Sequence, residues 1–193
     1  MARDTLQGRN TGRSIWKVPV WVALAAVAVP LAGSVLVEDW HWPPKAFVML
    51  GMMVFGMAML HQWASRRRGG GAYAIALGIA LALSFGVLWS TFVHFVDTQR
   101  AAAFHFAVPV SVVVGMGIAR LRPAGMGRAM GVTAVVQCVT MAAVLVLMRG
   151  RKPTVSAWTA QEWRGLAGNL VSAAMFGASS MLFRRASRAV GAP

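Results

Sequence analysis

The sequence predicts an all-α, polytopic transmembrane helical bundle of six spans with both termini cytoplasmic. Three observations carry that expectation. Hydrophobic residues are 58% of the chain and charged residues 12%, about half the charge of a soluble domain, so lipid has to be the solvent for much of the surface. The apolar residues are gathered into six stretches, each about as long as a helix that crosses a bilayer. The basic residues lie between those stretches and alternate between a heavily basic side and a lighter one.

The first stretch is Val18–Val37. Arg3, Arg9, Arg13 and Lys17 precede it, as in the basic start of a signal peptide. Its 20 residues exceed the roughly 7–15 of a signal-peptide core and suit an uncleaved span. The sequence VEDWHWPPK follows, with Glu38 and Asp39 supplying two of the five acids and Pro43 and Pro44 separating one helix from the next. The remaining stretches are Ala46–Ala64, Ala72–Val93, Ala102–Ala119, Ala129–Met148 and Leu166–Phe183. All six run 18 to 22 residues, close to the roughly 20 that cover about 30 Å of hydrocarbon. They must be helical, because an open strand leaves backbone groups unpaired in lipid. Asn169, Ser172, Ser179 and Ser180 dilute the sixth. The domain organisation is then a basic cytoplasmic tail over 1–17, one transmembrane domain over 18–183, and a cytoplasmic tail over 184–193.

Orientation follows from the Lys/Arg asymmetry. Arg3, Arg9, Arg13, Lys17, Arg66, Arg67, Arg68, Arg120, Arg122, Arg128, Arg184, Arg185 and Arg188 alternate onto one side, with only Asp4 against them. The other side holds Lys45, Arg100, Arg149, Arg151, Lys152 and Arg164, together with Glu38, Asp39, Asp97 and Glu162. The basic side is the cytoplasmic one. Arg149–Lys152 is the misfit, and it leaves a five-span arrangement open.

A net charge of +14 would suggest nucleic acid in a soluble protein. Here the charges mark loops between spans, and no nucleic-acid partner is expected. Cys138 is the single cysteine, so neither an internal disulfide nor a cysteine zinc site can form. Trp16, Trp21, Trp40, Trp42, Trp63, Trp89, Trp158 and Trp163 fall near segment ends, where the headgroup layer favours amphipathic rings. The loop RGRKPTVSAWTAQEWR reads as a short interfacial piece.

The stretches AFVMLGMMVFGMAML, IARLRPAGMGRAMGVTAVVQ and SSMLFRRAS resemble a group of uncharacterised small multi-pass bacterial inner-membrane proteins with no assigned function. The likeness runs from about Trp42 to Arg188, and the basic Pro-Gly turn between two spans is its most specific part. It implies a membrane protein with that turn on the cytoplasmic side, and it brings no catalytic residues. Members of the group often carry an acidic or tyrosine side chain near the end of the second span, where this chain has His61 and Gln62.

Small residues at every fourth position let helix backbones approach in lipid. Segment three has Ala74, Gly78, Ala82 and Gly86, then Ser90 and His94; Gly127 and Gly131 open segment five, and Ala173 and Gly177 lie in six. Gly78, Ala82, Gly86, Gly127 and Gly131 are the expected helix-packing positions. An outer rim of Glu38, Asp39, His41, His94, Asp97 and His105, with Glu162, could bind a divalent metal or relay protons. No HExxH or His-x-His spacing organises them, and solvated helix ends with no common centre explain them better. His94 with His105 could also ligate a haem.

Met49, Met53, Met57 and His61 form a ladder that could pass Cu(I), although in a chain with 13 methionines such a ladder is more simply flexible apolar filling. Arg120, Arg122 and Arg128 could hold anionic lipid headgroups, each worth about 1 kcal/mol near an anionic surface. No phosphate-cradling loop and no nucleophile triad are legible, so no catalytic residue and no cofactor is expected. The leading functional expectation is a non-enzymatic accessory or assembly subunit, with a partner membrane protein or a second copy beside it. The alternatives are a small transporter or channel, lined by Ser90, His94 and Gln137, and a metal- or haem-dependent membrane enzyme built on the outer rim.

Overall fold

A computed structural model describes residues 16–38, 42–68, 70–94, 104–151 and 158–191. Six helices account for nearly all of them: α1 (Lys17–Leu36), α2 (Pro44–Arg68), α3 (Gly71–His94), α4 (Ala107–Ala119), α5 (Pro123–Arg151) and α6 (Ala160–Gly191). No strand occurs among the described residues. Pro44 and Pro123 each begin a helix, where the missing amide hydrogen is not needed and the fixed φ already suits the first turn.

α1, α2, α3, α5 and α6 are long and apolar enough to cross a membrane; α4 is a shorter apolar helix of 13 residues. The sequence suggested 18 residues for that fourth segment. Proline explains part of the difference. Pro109 lacks a donor and crowds the carbonyl four residues before it, so it belongs in a first turn, and α4 starts two residues ahead of it. The resulting rod is about 20 Å long. By contrast α2, α5 and α6 run past their apolar stretches into the arginines at 66–68, 149–151 and 184–188. Arginine is a good helix former, and its long stem lets the charge reach water from an apolar depth.

The chain divides into two compact units, Met1–Trp63 and Ala64–Pro193, with α2 running through the boundary. In the first unit, the Trp16 and Phe55 rings stack with centroids 6.3 Å apart. A Cβ built on Gly51 would lie 3.3 Å from Val27 Cγ2. Little else of α1 and α2 is covered: only 11% and 6% of their membrane-length stretches are buried in the chain, against 33% for α3.

The second unit is an antiparallel four-helix bundle. α5 packs on α4 and α6, α6 packs on α3, and α3 touches α4 more lightly, which closes the ring. The α4–α5 pair keeps one register along its length. Gly125 faces Ala119, Gly115 faces Ala129, and Ser111 Oγ lies 3.0 Å from Thr133 Oγ1. Small residues thus recur every four positions on both helices, as close packing in lipid requires. On α6, neighbouring serines reach different helices: Ser179 Oγ donates to Ala76 O at 2.9 Å and Ser180 Oγ to Gly127 O at 2.6 Å. The Tyr73 and Phe183 rings meet edge-on at 5.2 Å.

Burial on α5 runs opposite to that of a soluble bundle. Met126, Met130, Thr133, Gln137 and Thr140 point inward, while Val132, Val135, Val139 and Val146 are exposed. Apolar residues outside and amides and hydroxyls inside suit lipid as the surrounding medium.

On α3 the buried face is Tyr73, Ala76, Leu77, Ala80, Leu81 and Ser84. Ala82 and Gly86, expected to be packing positions, are exposed, and Gly78 is half-buried. α3 carries two stripes of small residues side by side, and the bundle takes the one through Ala76, Ala80 and Ser84. Gly127 and Gly131 face α6: a Cβ on Gly127 would lie 3.1 Å from Arg184 Cγ, and one on Gly131 3.4 Å from Ser180 Oγ.

Candidate functional site

Among the outer-rim residues, Asp39, His41 and Asp97 lie outside the described residues, and for His94 only the backbone is described. Glu38 is exposed and His105 is half-buried in the turn that leads into α4. Among the described residues, no three His, Cys, Asp or Glu side chains come together. Met49, Met53, Met57 and His61 are each half-buried along α2.

Glu162 has a structural task. Its Oε2 accepts from Thr159 N at 2.6 Å and from Thr159 Oγ1 at 3.0 Å, while Glu162 N lies 3.3 Å from Thr159 Oγ1. That reciprocal pair is a capping box, which satisfies the first free amides of α6 and places a negative charge at the positive end of the helix dipole. The signal was in the sequence as Thr-Ala-Gln-Glu just before an apolar run. Beside it the Trp158 and Trp163 rings meet at 5.1 Å.

At the opposite end of the bundle the charged side chains among the described residues are all arginines. Arg66, Arg67, Arg68, Arg120, Arg122, Arg128, Arg184, Arg185 and Arg188 are all exposed there. Glu162, the one acid among the described residues of this unit, precedes Arg184 by 22 positions on α6, which is about 33 Å of helix. Within the turn Arg120–Arg122, Arg120 and Leu121 both have positive φ, 47° and 56°, a region that costs a side-chain-bearing residue about 1 kcal/mol or more. Neighbouring side chains hold the turn in place. Arg68 Nη2 donates to Arg120 O at 3.0 Å, and the buried Tyr73 Oη donates to Leu121 O at 3.0 Å. Gly125 is required on the other flank, because a Cβ there would lie 2.9 Å from Ala119 Cβ.

The bundle interior brings together a group that the sequence only half disclosed. Gln137, fully buried, gives its Nε2 to Asn169 Oδ1 across the α5–α6 interface. Asn169 Nδ2 in turn donates to Gly165 O at 2.7 Å. Thr133 lies one turn from Gln137 on the same face of α5 and meets Ser111 of α4. Thr140, one turn the other way, is 3.5 Å from Phe104 O. Gln137 stood out in the sequence as a polar residue within a span, whereas Asn169 read only as a weakening of the sixth stretch. Thr133, Ser111 and Thr140 looked unremarkable because hydroxyls are common in spans. Their convergence depends on helix register, which spacing within one segment does not contain. Ser90, another of the three expected lining residues, is exposed.

No protein-family model, no curated protein and no solved structure matches the chain. The geometry of the molecule is therefore the whole basis for a functional reading.

Proposed function

We propose that the chain is a non-enzymatic accessory or assembly subunit of a bacterial inner membrane, inserted with both termini cytoplasmic. In this reading the four-helix bundle is a self-contained anchor, and the α1–α2 hairpin engages the transmembrane helices of a partner. The observation that carries it is the contrast in burial, 11% and 6% for α1 and α2 against 33% for α3 and 22% for each of α5 and α6. The nine-arginine end of the bundle supports a cytoplasmic placement of that end by the positive-inside rule, with Arg120, Arg122 and Arg128 beside anionic headgroups.

Photocrosslinking in native membranes tests the reading, with the reactive residue at Val29 or Met52 of the hairpin and at Val135 or Val146 of the bundle, all four exposed. The expected outcome is a protein adduct of one size from the hairpin positions and lipid labelling from the bundle positions. Lipid labelling alone at all four would overturn it. Reporter fusions after Arg68, Arg122 and Lys152 are expected to read inside, inside and outside.

A second reading, a small transporter or channel, is favoured by one observation: a fully buried amide, Gln137, at the centre of α5 with hydroxyls one turn to either side. A polar residue kept at that depth is costly, and such residues are commonly functional.

A further inference from the structure

Three buried side-chain atoms among the described residues lack a hydrogen-bond partner: Ser65 Oγ, Gln137 Oε1 and Trp158 Nε1. Ser65 and Trp158 lie at or beside helix ends. Gln137 is the fifteenth of the 29 residues of α5, at the middle of the helix. Its orientation is imposed by its neighbour. Asn169 spends Nδ2 on Gly165 O, so the atom it turns toward Gln137 is the carbonyl Oδ1, and Gln137 has to offer Nε2 to it. Oε1 is then turned away, buried, with both lone pairs empty.

An orphaned buried acceptor is unfavourable, since it has given up water and received nothing. The hydroxyls of α3 avoid that cost within their own helix: Ser84 donates to Ala80 O and Thr91 to Val87 O, each at 2.7 Å. A carbonyl oxygen has no such option, because it needs a donor and the helix amides are already engaged. Among the described residues no side chain supplies that donor.

We infer that Gln137 Oε1 and Thr133 Oγ1 hold an internal water molecule in the middle of the bundle, reached from the end where Asn169 and Thr140 lie. A buried water needs two to four polar partners, and this level supplies them from two helices. Gln137 Oε1 and Thr133 Oγ1 share one face of α5, and Ser111 Oγ of α4 lies 3.0 Å from Thr133 Oγ1. The α5–α6 register set by Gln137 with Asn169 and Gly131 with Ser180 brings two small residues of α6, Ala173 and Gly177, opposite this level. Entry is from the Asn169 side because Asn169 is half-buried while Met126 and Met130, on the other side, are fully buried. The group contains no carboxylate, which fits a neutral donor rather than a cation. The inference is independent of whether the hairpin has a partner.

Water-edited solid-state NMR of the ¹⁵N-labelled chain in lipid bilayers tests it directly. The side-chain amide of Gln137 is identified as the signal lost in Gln137→Met; should that variant not fold, Gln137→Asn shifts the same signal and assigns it. The expected result is transfer of water magnetisation to that amide, and replacement of its protons in D₂O, while backbone amides of the Met126–Met130 turn receive none. A Gln137 amide that receives no water signal and keeps its protons in D₂O would show the site to be dry and overturn the inference.

Discussion

The hairpin of α1 and α2 and the bundle of α3 to α6 are built from similar proportions of apolar residues, yet they solve packing in opposite ways. The bundle brings backbones together through Gly115, Ala119, Gly125 and Ala129 and ties them with serine and tyrosine hydroxyls. In the hairpin, Trp16 stacks on Phe55 and Val27 lies against Gly51, while Val29, Val35 and Met52 are exposed. Hydrophobicity cannot hold helices together in lipid, because lipid tails solvate leucine as well as leucine does. What separates the two regions is therefore shape and hydrogen bonding.

The largest expected difference between them is steric. Gly115→Val places branched carbon where even a Cβ would come within 2.7 Å of Ala129 Cβ. Overpacking of this kind costs about 1–3 kcal/mol. Gly56→Val in α2 meets nothing within 4 Å and is expected to change stability by less than about 0.5 kcal/mol. Thermal unfolding in detergent, followed by circular dichroism, measures both. Equal losses would mean that the hairpin is as closely packed as the bundle.

Next in size is the hydroxyl of Tyr73. Tyr73→Phe keeps the ring against Phe183 and removes only the bond to Leu121 O, for an expected loss of about 1 kcal/mol. The effect should concentrate at the Arg120–Leu121 turn, whose positive-φ residues depend on that bond and on Arg68. Faster hydrogen exchange at Arg122 and Met126, whose amides bond within the turn, is the local signature. Trp16→Leu, which removes a ring already 59% exposed, is expected to cost less than about 0.5 kcal/mol by the same unfolding measurement.

How much of this was legible in the sequence depends on how local each feature is. Spans of about 20 residues declare themselves by composition, and five of the six expected stretches became helices of spanning length. The fourth was overestimated because composition does not register that Pro109 belongs in a first turn. Within the bundle α3 packs through Ala76, Ala80 and Ser84 and leaves Ala82 and Gly86 exposed, a choice the sequence does not make because Gly78–Ala82–Gly86 and Ala76–Ala80–Ser84 are equally good small-residue stripes. Only the positions of α4 and α6 choose between them. Glu162 is readable as a cap from four consecutive residues, although its charge and its side of the membrane also group it with the outer-rim residues. The Gln137–Asn169 pair is beyond reach, since its members lie on different helices, 32 residues apart. A bundle interior is defined by register between helices, and a single sequence carries register only weakly.

The smallest effects belong to single hydroxyls, and they sharpen the comparison most. Ser179→Ala and Ser180→Ala each remove one interhelical bond, and each is expected to cost about 0.6 kcal/mol, because a helix separated within the membrane finds other partners for the freed groups. Ser34→Ala in the hairpin removes only a bond to Leu31 O of its own helix and should be close to neutral. Ser179 and Ser180 are adjacent in the chain but bond to different helices, α3 and α5. If α6 meets those helices independently, the double variant loses the sum of the two single losses to within about 0.3–0.5 kcal/mol. If α6 is a rigid wedge, removing one bond lets it relax toward the other neighbour, and the second substitution then costs a different amount. Unfolding of the two single variants and the double variant in one detergent distinguishes these cases. A wedge would mean that the four-helix ring is a single cooperative unit, which is the property the proposed anchor needs and the weakly joined hairpin lacks.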